Sequence, residues 1–558
     1  MMTTVTSTTS SVTTTSYSQN RNDFDTDSLV EAAVAARLTR ADTLSTKVTA
    51  NETKIAAYQE MQTLLQTMQT SLSKLRSEPG TSGRSNDVFR DRSAYVTSST
   101  STTASTILSA TVADGTDLGT HSLEVLQIAK AERLGSGSIS GRTTALGYSG
   151  TFTLGAGTAS ASVTVTETMT LDDLVTAINA QSTASGVKAS VVKVSDGDYM
   201  LTLTASATGQ SITLTSGSGD DVMTALGVTD SSGDAAVVLQ AAQSAKLVVD
   251  GVTVERSSNS IDDVIDGVSL TLYRAEEGNS LTLEVENDLS GIMEQIEALV
   301  EAYNAFRTFV LTNQTTGSDG TADDSAVLFG DATLRSVSQQ MQAILTADVG
   351  GVSLSDIGLS FDTSNALVLD STELEDALLN NFDAVQTLLS YRMEASTSSL
   401  QLLRHGNGPD SASFDLEITV DSSGSVTSAG VGGDTSLFTV SGSTITGASG
   451  TAYEGLVFVY TGKVSQTVSV ELSQGIADSL WQITDTIADS YDGTLTDMIS
   501  TLKNTNSDLN DRISTIQSNA ESYRSYLLEK YARIEAKLAK AQSVLDLLEA
   551  INNAESSS

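Results

Sequence analysis

The feature of this sequence that most constrains its fold is a stripe of apolar residues near the C-terminus. Over residues 495–527 the stripe positions alternate between steps of four and three residues, nine steps in succession. This repeat predicts a long helix that buries one narrow face against another helix, as in a coiled coil. The predicted coiled-coil core positions in this helix are Leu502, Leu509, Ile513, Ile516 and Leu527.

One polar residue and one irregularity mark this stripe. Asn506 occupies a core position, and a single buried asparagine can fix the register between two helices. After Leu527 a second step of four leads to Tyr531 before the alternation resumes. This irregularity either turns the stripe toward a different partner or reflects a straight helix whose face drifts across one core. We expect the helix beyond it to bind another molecule, through Tyr531, Ile534, Leu538, Leu545 and Leu548.

A second long helix is predicted near the N-terminus. Asp25 or Asp27 can cap its first turn, and no Gly or Pro interrupts the chain from there to Leu75. Polar Asn51, Gln62 and Gln69 fill slots in a stripe that otherwise repeats at nearly heptad spacing. Its predicted core positions are Leu44, Val48, Ile55, Tyr58, Leu65 and Leu72.

The interior of the chain has the patterns of β-structure interrupted by a few helices. Apolar and polar residues alternate in many short runs between 94 and 290, and again between 405 and 475. Helical patterns are confined to four stretches, which lie at 170–181, 290–314, about 324–346 and 371–395. Because neighbouring β-structure cannot bury the two terminal stripes, we expect the terminal helices to fold back on each other as an antiparallel pair.

The sequence therefore predicts an α+β fold, with N- and C-terminal helices paired in a coiled coil or helical bundle and β-rich domains inserted between them. Its expected segments are a disordered Ser/Thr-rich tail (1–22), an N-terminal helical leg (23–78), a linker with the first strands of a central domain (79–131), a β-rich inserted domain (132–243), strands followed by a helical bundle domain (244–404), a β-rich inserted module (405–475) and C-terminal coiled-coil helices (476–558).

Composition excludes several classes of function. The chain has no cysteine, which excludes disulfides and thiol chemistry, and its net charge of −39 argues against binding to nucleic acid. The longest apolar runs are too short for a transmembrane helix, and the N-terminal tract lacks the charged and apolar regions of a cleaved secretory signal. Both histidines, His121 and His405, are isolated and expected at the surface. We expect no metal site, no cofactor and no catalytic residues.

Several phrases of the sequence resemble one protein family. The run from "GVSLTLY" at 267–273 to the helix that contains "VEAYNAF" at 300–306 is similar to the C-terminal region of the flagellar filament-capping family, FliD, also called hook-associated protein 2. The stretch at 171–192 resembles the flagellin and hook IN motif, with Ile178 and Asn179 at its namesake positions. The "QNRNDFDTDSLV" segment departs from the usual start of the family.

The resemblance implies a structural protein of the bacterial flagellum. Family members leave the cell unfolded through the flagellar type III channel and assemble as a ring at the filament tip, where they promote folding and insertion of exported flagellin and prevent its loss. The implied partners are flagellin, the hook–filament junction protein, an export chaperone at the C-terminal helix, and other copies of the chain, most simply as a pentamer.

Two other classes of function stay open at this stage. The first is another axial or adhesive surface protein of the flagellum, such as a hook–filament junction protein or flagellin itself, because axial flagellar proteins share the IN motif. An enzyme on a β-rich scaffold, such as a glycan hydrolase, would need convergent catalytic residues that the sequence does not display.

Overall fold

A computed structural model describes residues 25–77, 86–406 and 411–555 of the chain. Helices dominate both ends and strands dominate the interior, which confirms the predicted α+β class. The expected tail at 1–22 lies outside the described residues. The chain divides into two compact units: the first contains residues up to 69, 302–343 and those from 482 onward, and the second contains 70–301 and 344–481.

The first unit is helical and contains both terminal helices. Elements are numbered along the chain, so that these two helices are α1 (Thr26–Leu72) and α10 (Thr494–Glu555). Three shorter helices contribute residues to the same unit, namely α5 (Leu289–Thr312), α6 (Ala332–Leu345) and α9 (Ile476–Ala488). No Gly or Pro lies between Thr494 and Glu555, so the chain contains no strong helix breaker over that length.

Two polar residues of the α1 stripe, Gln62 and Gln69, form hydrogen bonds near the connection between α9 and α10. Gln62 Nε2 donates a hydrogen bond to Ala488 O at 3.2 Å and another to Thr496 Oγ1 at 2.9 Å. Gln69 Nε2 donates to Asp485 Oδ1 at 2.8 Å. The Gln62 amide thereby satisfies the carbonyl of Ala488, the last residue of α9, in the final turn where helix carbonyls lack intrahelical partners.

Helix α6 begins later than the sequence pattern predicts, because Asp331 caps it. Asp331 Oδ1 accepts hydrogen bonds from the N–H groups of Thr333 and Leu334. Asp331 Oδ2 accepts a 2.6 Å hydrogen bond from the hydroxyl of Tyr58 and lies 3.1 Å from Lys54 Nζ. The same carboxylate therefore starts α6 and ties it to α1.

The predicted helix at 371–395 is wrong in its last part. The structure has α7 (Ser371–Asn380), α8 (Phe382–Leu389) and then the strand β19 (Arg392–Ala395). Residues 392–395 pair with residues 470–473, almost 80 positions further along the chain. A long-range strand pairing of this kind overrides a local helical pattern.

The second unit contains three β-rich cores, the first of which is a central domain. A five-stranded antiparallel sheet has the order β1-β16-β3-β12-β13, and a three-stranded sheet has the order β14-β15-β2. These strands are β1 (Arg92–Ser98), β2 (Leu108–Val112), β3 (Gly119–Gln127), β12 (Ala245–Val249), β13 (Val252–Arg256), β14 (Ser260–Ile265), β15 (Val268–Leu272) and β16 (Leu281–Asn287).

An inserted domain, whose strands and helices run from 133 to 240, forms the second core from two sheets and a helix. One sheet has the order β10-β6-β7, and the other has the order β11-β4-β9-β5 with β8 on the free side of β9. The elements are β4 (Arg133–Gly135), β5 (Ile139–Ser140), β6 (Gly150–Ala156), β7 (Ala159–Val165), α2 (Leu171–Ala180), α3 (Ser182–Ser185), β8 (Val187–Ser195), β9 (Asp198–Ala205), β10 (Ile212–Gly219), α4 (Val222–Ala225) and β11 (Val237–Gln240).

The two residues of the IN motif have separate structural roles in this domain. Ile178 is fully buried in the core beneath the sheets. Asn179 clamps the end of α2 to β8, since its amide donates to Ala189 O at 2.9 Å and accepts from Ala189 N at 2.8 Å. Thr170 and Asp173 close the other end of the helix with a reciprocal capping box.

The third core is a sandwich of two four-stranded sheets near the end of the unit. The sheet orders are β19-β26-β21-β22 and β20-β25-β24-β23, and a separate hairpin of β17 and β18 precedes them. The remaining strands are β17 (Leu359–Phe361), β18 (Leu367–Leu369), β20 (Leu400–Arg404), β21 (Ser411–Val420), β22 (Val426–Val431), β23 (Phe438–Ser441), β24 (Thr444–Gly447), β25 (Val457–Tyr460) and β26 (Gln466–Ser473). Two of the strands thus precede residue 405, where the sequence pattern places the start of this module.

A buried ionic cluster lies at the base of this sandwich. Asp478 is fully buried; its Oδ1 lies 3.0 Å from Arg76 Nε and 3.5 Å from His405 Nε2, and its Oδ2 accepts a 2.7 Å bond from Gln474. The expectation that His405 lies at the surface is wrong, because its ring is buried and stacks on Tyr391 with centroids 4.0 Å apart. Its neighbours in the sequence are glycine-rich, which disguised a residue that tertiary contacts bury.

Loss of the Asp478 charge should destabilise the second unit strongly. Asp478→Asn leaves the Arg76 guanidinium buried without its counter-ion, and we expect the free energy of unfolding to fall by about 3–5 kcal/mol. The single tryptophan, Trp481, lies under Arg76 at 3.8 Å, so its fluorescence in a urea titration reports on this cluster. The matched control is Asp263→Asn, which breaks an exposed pair with Arg256 and should leave the midpoint unchanged.

The same substitution should also change the dependence of stability on pH. Burial raises the pKa of Asp478, but the hydrogen bond with His405 and the charge of Arg76 outweigh it and hold the pKa below its usual range. A carboxylate with a lowered folded pKa contributes stability above its unfolded value of about 4 and loses it as pH falls through the folded value. The wild-type chain should lose this contribution in acid, and equal acid slopes in wild type and variant would contradict the assignment.

Candidate partner-binding surface of the terminal helices

Helices α1 and α10 run antiparallel within the first unit, as the sequence predicts. Three contacts along their length define the register: Gln62 with Thr496, Asn51 with Asn506, and Glu31 with Arg524. The residue numbers rise on one helix as they fall on the other. The two terminal helices of the described chain therefore pack against each other as one antiparallel pair.

The predicted core residues divide into two groups by burial. Residues of the α1 stripe are mostly buried, as is one residue of α10; these are Val48, Ile55, Tyr58, Leu65, Leu72 and Leu527. The other predicted positions are half-buried, namely Leu44, Leu502, Leu509, Ile513 and Ile516. The C-terminal half of α1 also contacts residues of α9 and the start of α6, so its stripe is covered from several sides. Elsewhere α1 and α10 form an interface of only two helices, which we call the seam, and each side chain there is covered from one direction only.

An asparagine pair lies inside the seam. Asn51 Nδ2 donates a 2.8 Å hydrogen bond to Asn506 Oδ1, and Asn506 is buried. Asn506 Nδ2 also reaches Val48 O at 3.5 Å. Both residues stand at polar positions of their stripes, and this alignment of the helices brings their amides into hydrogen-bond contact. The pair therefore acts as a register mark, in keeping with the role predicted for Asn506.

The upper end of the seam is a small apolar cluster with a charged edge. Val30, Val34, Ala520 and Leu527 are buried there, and Tyr531 packs against them. The guanidinium of Arg37 lies 3.7 Å from the ring centroid of Tyr523. The ion pair with Glu31 raises the pKa of Arg524. Because the pair is exposed, it contributes little stability and mainly helps to align the two helices.

The seam ends where α1 begins. Asp25 Oδ1 accepts from Ser28 N at 3.0 Å and caps α1, and Thr26 Oγ1 reaches Glu535 Oε1 at 3.0 Å. Helix α10 continues from there to residue 555, a further ~30 Å at 1.5 Å per residue. Tyr531 lies on the intramolecular side of this boundary, although the sequence pattern assigns it to the partner-binding segment.

Beyond the seam, apolar side chains of α10 face solvent in the described chain. Leu538 is 62% exposed and Leu548 is 56% exposed, and Ile534 and Leu545 are exposed as well. The stripe also includes Val544, Leu547 and Ile551, which sequence reasoning missed because they fall between the heptad positions. These three residues follow one another at steps of three and four, which widens the apolar face and could have identified them from the sequence. We define these seven residues as the distal stripe.

The distal stripe is embedded in balanced charge. Residues 529–549 contain four acidic and four basic side chains, in a chain whose net charge is −39. Exposed apolar faces on helices are typical of surfaces that bind another protein. The balanced charge allows a partner of either sign to approach.

The rest of the described chain offers no chemistry that competes with this surface. No cluster of three or more potential metal-ligating side chains occurs among the described residues. None of the described helices combines the length and the apolar character that a membrane span requires. His121 Nδ1 lies 2.8 Å from Asp250 Oδ2, in a contact that ties the β12–β13 turn to β3.

Comparison with known proteins identifies the family. The model of the flagellar hook-associated protein 2 C-terminus matches residues 242–543, which is more than half of the chain. The chain belongs to the flagellar hook-associated protein 2 family. The N-terminal model of the same family matches residues 22–132, and the flagellin hook IN motif matches 151–207. This family is a structural one and is not known as a family of enzymes.

Individual relatives share about a quarter to a third of their aligned residues with this chain. The A-type flagellar hook-associated protein 2 of Pseudomonas aeruginosa is 27% identical over 327 residues, which is 54% of this chain and 67% of that protein. The flagellar hook-associated protein 2 of Escherichia coli K12 is 31% identical over 310 residues, which is 52% of this chain and 66% of that protein. The crystal structure of the E. coli flagellar cap protein FliD D1-D2-D3 domains is 26% identical, with a TM-score of 0.47, and covers 60% of this chain and 90% of that one.

The asparagine pair can be tested with a double-mutant cycle. Asn506→Leu alone leaves the Asn51 amide without its partner and should cost about 1–3 kcal/mol in the free energy of unfolding, measured by circular dichroism in urea. Asn51→Leu together with Asn506→Leu replaces the polar pair by an apolar one and should recover that loss, which leaves the helical pair at least as stable as in the wild type. Asn504→Leu, at an exposed position of the same helix, is the control and should change little. Additive losses in the double variant would contradict the pairing.

Proposed function

We propose that this protein acts as the cap of a bacterial flagellar filament, at the extracellular tip. Membership of the flagellar hook-associated protein 2 family carries this proposal, and the similar solved structures are named as flagellar cap proteins. The alternative of a hook–filament junction protein is not favoured, because the two models that match the N-terminal and C-terminal regions of the chain are both those of hook-associated protein 2. The work of a cap is mechanical, and no bond is made or broken.

The helical end of the chain is the part that we assign to the filament. The distal stripe offers exposed apolar positions at helical spacing, which suits an amphipathic helix of another axial protein. Flagellin, whose insertion a cap must guide, is the partner that we propose for it. Polar pairs such as Asn51–Asn506 lower the stability of the seam relative to an apolar one, which favours repeated release and rebinding as the cap advances.

Further partners are expected for the export and the assembly of a flagellar protein. We propose that, before export through the type III channel, a cytoplasmic chaperone covers the distal stripe, because an exposed apolar face is an aggregation hazard inside the cell. We propose that copies of the chain then assemble as a ring, most simply a pentamer, and that the base of the filament provides contacts with the hook–filament junction protein.

Charge placed in the distal stripe should abolish capping without unfolding the protein. Leu538→Glu with Leu545→Glu puts two carboxylates on the apolar face. Cells that carry this variant in place of the wild type should make short filaments and lose flagellin to the medium, measured by electron microscopy and by flagellin content of culture supernatants. We expect at least a tenfold weaker binding of the purified variant to flagellin.

The matched control is Ala532→Glu with Ala539→Glu, which adds the same charge at the same spacing on the opposite face of α10. It should leave filaments and flagellin binding unchanged. Ending the chain after Glu535 should act like the stripe variant while the helical pair, followed by circular dichroism, stays folded. Full-length filaments with the stripe variant, or equal defects with the control, would overturn the assignment of the distal stripe.

A further inference from the structure

The inserted domain carries an apolar surface on the side away from its core. Strands β8, β9, β4 and β11 lie side by side in one sheet. Leu134, Val187, Leu201 and Leu203 point to one face of this sheet and are buried in the domain core. Because side chains alternate along a strand, the intervening residues share the opposite face, which we call the outer face.

Strand register places two rows of side chains on the outer face. In one row Lys188 pairs with Thr204, and Thr204 pairs with Arg133. In a second row Val192 pairs with Met200. Between the rows Thr202 pairs with Gly135. The outer face therefore combines two cations at one end with apolar side chains at the other.

Gly135 makes the apolar part continuous across the sheet. A Cβ atom at this position would lie 3.0 Å from Met200 Sδ and 3.3 Å from Leu239 Cδ1. Its absence lets the side chains of Met200 and Leu239 cover the strand between them. Val192 is 48% exposed and Leu239 is 46% exposed at the two sides of this ridge. We call Arg133, Lys188, Val192, Met200 and Leu239 the outer patch.

The charge of the outer patch is opposite to that of the surrounding sequence. Residues 131–490 contain 12 basic and 46 acidic side chains. Arg133 and Lys188 are exposed and form no ion pair with the described residues, although both lie in this acidic region. A basic edge beside an apolar ridge fits a partner surface that is acidic and partly apolar. Because residues 131–490 carry 46 acidic and 12 basic side chains, a second copy of this chain is itself a strongly acidic partner.

We propose that the outer patch contacts the acidic surface of a second copy of this chain in the assembled cap. The proposal rests on the ring assembly of the proposed function and names one surface that holds neighbouring copies together. Because the patch and its acidic complement are different surfaces, each copy uses one of each, and such head-to-tail contacts close into a ring. Apolar burial at the ridge supplies affinity, and the cations select the orientation.

The test compares two matched double variants of the full chain by sedimentation velocity at several protein and salt concentrations. Lys188→Glu with Val192→Asp reverses charge and breaks the ridge in the outer patch. The control, Lys463→Glu with Val464→Asp, makes the same changes in the sandwich module, where Val464 is 64% exposed. We expect the patch variant to raise the dissociation constant of self-association at least tenfold, and the control to leave it unchanged.

A second variant from the other strands, Arg133→Glu with Leu239→Asp, guards against a folding defect limited to β8. It should weaken self-association in the same way, and thermal unfolding by circular dichroism should match the wild type for both patch variants. Added salt should weaken wild-type self-association and narrow the difference from the patch variants. An assembly that is insensitive to both patch variants, or equally sensitive to the control, would overturn the proposal and leave the cap function standing.

Two other results would also be decisive. If the patch variants assemble normally but bind less flagellin than the control, the outer patch binds the filament, and the proposal that it binds a second copy of the chain is wrong. A wild-type chain that stays monomeric at every concentration would contradict the proposed ring itself and the outer patch with it.

Discussion

The antiparallel pairing of α1 with α10 is the contact on which the rest of the structure depends. It joins segments more than 400 residues apart, and closing a loop of that length costs about 5 kcal/mol in chain entropy. The seam offsets this cost with apolar burial, and the Asn51–Asn506 pair selects one alignment. The segments between the two helices are thereby held in a closed loop, and among the described residues the contacts of α10 with α1 reach no further than the beginning of α1.

The sequence patterns predict the elements whose local period matches their tertiary role. Two heptad stripes are sufficient to predict the helical pair, and the capping box of Thr170 and Asp173 marks the start of α2. The late start of α6 and the strand β19 could not be predicted, since Asp331 and Arg392 depend on partners far along the chain. His405 is the clearest failure: its glycine-rich surroundings suggest a surface loop, yet Asp478 and Tyr391 bury it.

The candidate surfaces were predictable to different degrees. Ile534, Leu538, Leu545 and Leu548 follow from the stripe alone, because an apolar helix face needs a partner whatever its fold. The stripe pattern assigns Tyr531 to the partner-binding surface, but Tyr531 packs between the terminal helices. This boundary depends on where α1 begins, which the stripe of α10 does not encode. The outer patch had no sequence signal at all, since its residues come from four strands and meet only through sheet register and the missing Cβ of Gly135.

Hydrogen–deuterium exchange along α10 tests the central claim most directly. In the purified monomeric chain the account predicts slow exchange of backbone amides from 494 to about 531, where α1 covers the helix, and fast exchange from 537 onward, where none of the described residues of α1 covers it. Addition of flagellin should slow exchange in the second stretch only. Uniform protection of the whole helix in the free chain, or fast exchange throughout, would contradict the claim that α10 is divided into a closed seam and an open binding surface.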